Sequence, residues 1–331
     1  MGTKAVWESL FSKRLYIART SGRLSILVLT LMRFTMGAFN LVDFLSEVKS
    51  AYVRESFISL DGDDVTKIVK GLGATDEDLE NLKRVSDNLP PDPTLPFRES
   101  RNGRFELDFA NSKINRIEFQ PFVLSVQEDF VRHDSGKIRE FRGIGDDLQL
   151  NRAFQALLLF KAFLIKDTSV TPRPSLDYDS TSLVSTVFNL RTITTPELLG
   201  EPALEGVHAD GVDHTMTTLL GKENITDNSA ITFIHDNREK NGTRWNEVNP
   251  EYRRGQAQHK KFLDTLLIAD HQRKHSLSPV HAAVSDARAT RDMLIFFTRH
   301  PTKKGHISNP YDSFNPHKEI PLSINYPEFI A

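Results

Sequence analysis

The segment Glu205-Gly206-Val207-His208-Ala209-Asp210-Gly211 sets an imidazole and a carboxylate two positions apart. On a strand or an extended turn, residues two apart point to the same side, so His208 and Asp210 can offer a nitrogen and an oxygen to one cation. Alone, the pair also reads as a surface turn closed by Asp210-Gly211. A third ligand changes its weight. Two histidines and one carboxylate on one face of an ion leave three positions open, an arrangement suited to non-haem Fe(II). His275, in Lys274-His275-Ser276-Leu277-Ser278-Pro279, can supply that ligand, and His271 and His281 are rivals from the same stretch. The chain contains no cysteine. Thiolate nucleophiles, disulfides, zinc–thiolate sites and Fe–S clusters are therefore excluded, and any metal must take nitrogen and oxygen ligands.

A second chemical signal follows in Arg291-Asp292-Met293-Leu294-Ile295-Phe296-Phe297-Thr298, an arginine at the mouth of an apolar strand. A guanidinium entering a core needs an anionic partner. Asp292 is the local choice. The distal carboxylate of a bound dicarboxylate, gripped by both arms of the guanidinium fork, is the functional one. Other signatures are absent: there is no G-x-S-x-G elbow, Walker A loop or H-E-x-x-H. Gly143-Ile144-Gly145 starts a dinucleotide-like pattern, but Leu148 stands where the third glycine belongs and no βαβ unit surrounds it.

The elements that must carry these residues fall into two halves. In the first, Leu41, Phe44, Leu45, Val48 and Tyr52 follow helical spacing, a short helix is expected over 64–70, and a third runs from Thr75 to about Leu89 with Thr75 and Asp78 as a capping box. Strands are expected over 105–109 and 117–126, with turn chemistry at Asn111-Ser112. Residues 151–165 form the strongest helix, apolar on more than one face as a helix buried against a sheet should be. From about residue 181, short β-prone segments follow one another at 183–190, 215–220, 230–234 and 293–298, while 263–269 reads as strand or helix. The expected fold is α+β, N-terminal helices packed on a β-rich second half that forms a sandwich or barrel.

With 331 residues, 39% hydrophobic and 26% charged, the composition is that of a globular chain. A formal net charge of −2 gives no global attraction for nucleic acid, and the basic run His259-Lys260-Lys261 reads as a solvated face. Residues 1–36 are atypical: Lys13, Arg14, Arg19 and Arg23 precede the apolar run 24–32, which is too short to span a bilayer. They are read as an N-terminal extension, with a signal or transit peptide as the other option. No membrane partner is expected, and the protein is expected to be cytoplasmic.

Taken together, three blocks resemble the 2-oxoglutarate-dependent Fe(II) dioxygenases, and most of all the free amino-acid hydroxylase group that includes L-isoleucine 4-hydroxylase. They are Leu204-Glu205-Gly206-Val207-His208-Ala209-Asp210-Gly211-Val212-Asp213, His275-Ser276-Leu277-Ser278-Pro279 and the segment from Arg291 to Thr298. Gly136-Lys137-Ile138-Arg139-Glu140-Phe141 is similar to a further element of the group, and Val187 to Arg191 sits where the group has a strand ending in arginine. The resemblance implies a double-stranded β-helix core (jelly-roll, cupin-like) over about 180–300, in one dioxygenase domain over 37–331 with a helical part at 37–175 and a C-terminal tail at 300–331. It implies Fe(II) on His208, Asp210 and His275, and 2-oxoglutarate as cosubstrate with Arg291 on its C5 carboxylate. The implied reaction uses O₂ to hydroxylate an unactivated C–H of a small substrate, a free L-amino acid, giving succinate and CO₂. Arg191 and Arg139 are then candidates for the substrate carboxylate, and Asp213 or Glu140 for its ammonium. The alternatives are a secondary-metabolite oxygenase performing desaturation or cyclisation, and a non-catalytic cupin-like binding protein. The polar insert 236–261, with Trp245, Asn246 and Tyr252, is expected to form a lid or an Ω-type loop.

Overall fold

The computed structural model describes residues 40–123, 132 and 134–330. The N-terminal extension, residues 1–36, lies outside the described residues, as do residues 124–126 of the strand expected over 117–126.

Three helices lead the described residues. Helix α1 (Leu41–Glu55) starts at Asn40, whose side chain accepts from the amides of Val42 and Asp43. It is followed by strand β1 (Phe57–Leu60) and by α2 (Gly62–Gly71), capped by Asp61. Helix α3 (Asp76–Leu82) begins at the expected capping box, with Thr75 and Asp78 capping each other. It stops at Leu82 rather than near Leu89. Beyond it the backbone tightens into three-residue turns, which lets Ser86 reach Asn189 (2.8 Å) and the Val85 carbonyl accept from Asn189 (3.0 Å). That tertiary contact outweighs continued helix.

Strand β2 (Arg98–Asp108) turns at Ser112, in the left-handed region, into β3 (Lys113–Ile117). The turn is where Asn111-Ser112 announced it, but the second strand precedes the expected span. Two-residue strands β4 (Phe122–Val123), β5 (Ile138–Arg139) and β6 (Arg142–Gly143) follow, then the single-turn helix α4 (Asp146–Gln149). Helix α5 (Arg152–Ile165) is capped by Asn151 and buried on most sides.

The second half is β7 (Ser182–Thr194), β8 (His214–Glu223), β9 (Thr232–His235), β10 (Arg253–Ala257), β11 (Thr265–Ala269), β12 (Lys274–Leu277), β13 (Ala289–Arg299) and β14 (Ser323–Asn325). The ambiguous segment at 263–269 is thus a strand. A large antiparallel sheet runs β1-β11-β8-β13-β7-β2-β3-β14, with β6 added in parallel to β2; a small sheet runs β10-β9-β12, and β4 pairs with β5. This is a mixed helix and antiparallel-sheet fold.

Strand alternation divides the large sheet into two faces. Val187, Met216, Leu267, Leu294 and Phe296 join the helices in the main core. There Phe154 of α5 packs on Phe105 (5.5 Å between centroids) and on Phe296 (6.1 Å). The intervening residues, among them Leu190, Thr217, Ile268 and Met293, face the opposite way and line a cavity that residues of the small sheet also line. The insert 236–261 is no lid. It supplies β10, Trp245 stacks flat on Phe233 (5.8 Å), and none of its residues lines the cavity.

Candidate active site

His208 lies outside any regular strand and is held by an isolated bridge to β12: it exchanges backbone hydrogen bonds with His275, both 2.9 Å long. Gly206 makes the approach possible. Its φ is +77°, and a Cβ there would lie 2.6 Å from the Thr243 carbonyl oxygen. The Gly206 carbonyl is also the partner of His208 Nδ1 (2.8 Å). A carbonyl only accepts, so Nδ1 carries the proton and Nε2 is left to face Asp210 Oδ1 at 3.3 Å. His275 Nε2 lies 3.7 Å from Asp210 Oδ2. One ligand atom from each of the three residues falls within 4.8 Å of the others. Asp210 is itself braced: Oδ2 accepts from Thr215 Oγ1 (2.6 Å), and its amide donates to Asp270 Oδ1 (2.7 Å). Two imidazoles and a carboxylate, with His208 braced by the Gly206 carbonyl and Asp210 by Thr215, make a donor set that fits Fe(II).

The charges point the same way. Burial works to raise the Asp210 carboxyl, but His275, His208 and Thr215 hold it well below the usual range. Burial also opposes charge on His208, yet the carboxylates of Glu205 and Asp210 push that ring up to about 9. His275, buried and next to His208, is drawn down to about 4 against the pull of Asp210. A pocket that grips one proton so firmly between carboxylates favours positive charge there, as a divalent cation supplies.

The cavity, about 140 Å³, extends from this cluster to Arg291 on β13. Arg291 is 5% exposed, and among the described residues no carboxylate lies within ion-pair distance of it. Burial alone draws its pKa down to about 10. Its Nη2 lies 3.4 Å from His259 Nδ1. His259 is kept neutral, pulled down to about 3 by burial and then by Arg291, so Nδ1 accepts while Nε2–H donates to the Thr217 carbonyl (3.2 Å). The basic run is therefore solvated only in part: Lys260 and Lys261 are exposed or nearly so, but His259 is buried behind Arg291.

The other candidates divide. Arg139 lines the cavity: its guanidinium packs on Phe122 (4.7 Å to the ring centre), Nη1 lies 3.4 Å from Asp134 Oδ2, and Nε and Nη2 have no partner among the described residues. Arg191 points the other way. Leu190 and Thr192 face the cavity, so alternation turns Arg191 to the helix side, where its Nε and Nη2 bind Asp292 at 2.6 and 2.7 Å. This pairing also removes Asp292 as a partner for Arg291. Asp213 is committed elsewhere: Oδ1 accepts from Tyr178 (2.7 Å) and Oδ2 from the His300 ring and amide (both 2.8 Å). Glu140 is exposed, His271 binds the Thr171 carbonyl (2.9 Å) and His281 is exposed. None of Arg191, Asp213, Glu140, His271 and His281 lines the cavity.

Sequence reasoning missed His259, Arg98 and the role of Glu205, all at or behind the cavity wall. Glu205 alone had a local signal, a carboxylate inside the metal block. Arg98, on β2, arrives only through the order of the sheet.

Comparison with known proteins agrees with this site. The 2OG-Fe dioxygenase family profile matches residues 83–297. The chain is 46% identical over 278 residues to the bifunctional enzyme flvA of Aspergillus flavus, a match covering 84% of this chain but 34% of flvA, so it spans about a third of that relative. It is 47% identical to the selenomethionine-labelled Fe(II)/α-ketoglutarate-dependent dioxygenase TqaL, with a TM-score of 0.75 over 86% of this chain and 96% of that one. A bsmA homologue from Methylobium petroleophilum PM1 shares the fold at 16% identity, with a TM-score of 0.63 over 79% and 95% of the two chains. No helix among the described residues is long and apolar enough to cross a membrane. With the profile spanning more than half of the sequence and the histidine–aspartate–histidine cluster inside the matched span, the chain belongs to the 2OG-Fe dioxygenase family, whose cofactors are Fe(II) and 2-oxoglutarate.

Proposed function

We propose that the chain hydroxylates an unactivated C–H bond of a small carboxylate-bearing substrate, a free L-amino acid, with succinate and CO₂ as coproducts. The observation that carries this reading is Arg291, buried with no carboxylate at ion-pair distance among the described residues, in the same cavity as His208, Asp210 and His275. In this reading those three side chains hold the iron, and the large and small sheets are the two faces of a double-stranded β-helix within a single domain over 37–331. Iron(II), 2-oxoglutarate and O₂ supply an oxidant able to break an unactivated C–H bond. The chain's own residues do the rest. Arg291, backed by neutral His259, grips the far carboxylate of 2-oxoglutarate. Thr215 and the Asp270 carboxylate keep Asp210 in one orientation. Phe188, Leu190, Leu266, Ile268 and Met293 keep water from the reacting carbon. Arg139 offers a substrate carboxylate two guanidinium nitrogens that have no partner among the described residues.

A second reading keeps the site and changes the outcome to desaturation or cyclisation. The two relatives at 46% and 47% identity fit it at least as well as hydroxylation, since their names, a bifunctional enzyme and a dioxygenase, specify neither outcome. All three ligand side chains are present and converge, which speaks against a non-catalytic binding protein. The test is succinate release by the Fe(II)-loaded protein with 2-oxoglutarate, across a panel of free amino acids under air. Stimulation by one amino acid, lost in His208→Ala and Asp210→Ala, is expected. Retained turnover in both variants refutes the metal assignment. Turnover that no amino acid stimulates refutes the substrate class. Product mass separates added oxygen from lost hydrogen.

A further inference from the structure

The cavity holds a buried carboxylate that the proposed chemistry does not use. Glu205 has a side chain 8% exposed, and its Oε2 has no hydrogen-bond partner among the described residues. Its Oε1 lies 3.5 Å from His208 Nε2. Glu205 is not a fourth ligand of the cluster, since only His208, Asp210 and His275 bring atoms within 4.8 Å of one another. Arg98, also on the cavity wall, feels the charge of Glu205, but it donates to the Pro202 carbonyl and lies beyond ion-pair distance of that carboxylate. Burying a carboxylate with nothing to bind is costly, and such groups persist where a ligand completes them.

Arg139, on another part of the same wall, is the opposite case. It is 6% exposed, it stacks on Phe122, and two of its nitrogens have no partner among the described residues. One cavity therefore carries an incomplete anion beside the metal cluster and an incomplete cation elsewhere, with apolar side chains such as Leu190, Ile268 and Met293 also lining it.

We propose that Glu205 binds the ammonium group of the substrate next to the metal while Arg139 binds its carboxylate, so that the site selects zwitterions over simple acids. This rests on the proposed amino-acid dioxygenase reading and deepens it by naming the residue that recognises the amine. Glu205 is then a specificity-determining residue that the metal block carries in its own sequence.

The test is calorimetric binding under argon, so that no turnover occurs, to protein holding Fe(II) and 2-oxoglutarate. The probes are the twenty proteinogenic L-amino acids and, for each one that binds, its 2-hydroxy acid, which keeps the carboxylate and loses the ammonium. Wild-type protein is expected to bind at least one amino acid at least tenfold more tightly than its 2-hydroxy acid. Glu205→Gln, which keeps size and hydrogen bonding, should erase that preference while leaving Fe(II) and 2-oxoglutarate binding within twofold. Equal binding of the amino and hydroxy acids by the wild type overturns the proposal without any variant, so it remains falsifiable if Glu205→Gln fails to fold. An undiminished preference in Glu205→Gln overturns it too, as does a loss of iron affinity in that variant, which would make Glu205 part of the metal site. If 2-oxoglutarate binds and no amino acid does, the amine inference falls and the dioxygenase reading stands. Failure to bind Fe(II) and 2-oxoglutarate sinks the dioxygenase reading itself.

Discussion

Replacing Arg291 with methionine should separate two roles that a buried arginine can have. If it were half of a structural ion pair, removing it would strand a carboxylate in the core and cost about 3–5 kcal/mol. Arg291 has no such partner among the described residues, and burial alone draws its pKa from 12.5 to about 10. That shift corresponds to a desolvation penalty of roughly 3 kcal/mol, at about 1.4 kcal/mol per pKa unit. Methionine fills similar volume and removes the penalty, at the cost of one long contact to His259. The protein without 2-oxoglutarate should therefore keep its stability or gain about 1–3 kcal/mol, a rise of several degrees in Tm for a chain of this size. Affinity for 2-oxoglutarate should move the other way. Losing a buried, doubly hydrogen-bonded charge pair costs about 2–5 kcal/mol, or roughly thirtyfold to several thousandfold in Kd. Thermal melts with and without 2-oxoglutarate, paired with calorimetric titration, read both quantities in one preparation. A Tm lowered by several degrees without ligand, or an unchanged Kd, would refute the reasoning.

Arg191→Met should show the reverse pattern. It breaks the two-bond pair with Asp292, so stability should fall by about 1–3 kcal/mol, while the Kd for 2-oxoglutarate stays within twofold; a changed Kd at unchanged stability would return Arg191 to the site. Acid should destabilise the metal-free protein well before its carboxylates titrate. His214, bonded to Tyr52 (2.7 Å), and His259 are each pulled down to about 3 in the fold, chiefly by burial, from an unfolded value near 6.5. Their folded pKa is depressed, so the unfolded chain binds more protons below 6.5. Stability is therefore full above that pH and declines as pH falls toward 3, by about 3 kcal/mol between pH 7.5 and 5.5 for the two together. NMR titration of the two imidazole rings in the folded, metal-free protein checks this, and protonation of either ring between pH 7.5 and 5.5 would refute it.

Some of this protein is written locally. The Asn40, Thr75 and Asn151 caps, the apolar spacing of α1 and the all-round hydrophobicity of α5 each depend on neighbours a few residues away, and each element begins where those residues say. The metal block is local as well, because the same-side relation of His208 and Asp210 needs only an extended backbone. Arg291 at the head of an apolar strand announced a buried cation seeking an anion. The choice among the cavity's other charges was not local. Arg191 and Arg291 both sit at strand positions, and only the register that aligns Arg191 with Asp292 on the helix side turns one away and leaves the other facing the cavity. His259 gains its role because Thr217 and Arg291 lie on strands that become neighbours only in the finished sheet. Asp213 looks like a site residue beside Asp210, yet Tyr178 and His300, distant in sequence, claim both of its oxygens. A side chain's type and the period of its own element therefore state what chemistry is on offer. Strand register and sheet order, set by contacts across long stretches of chain, decide which of those groups find partners in the core and which remain open to a ligand.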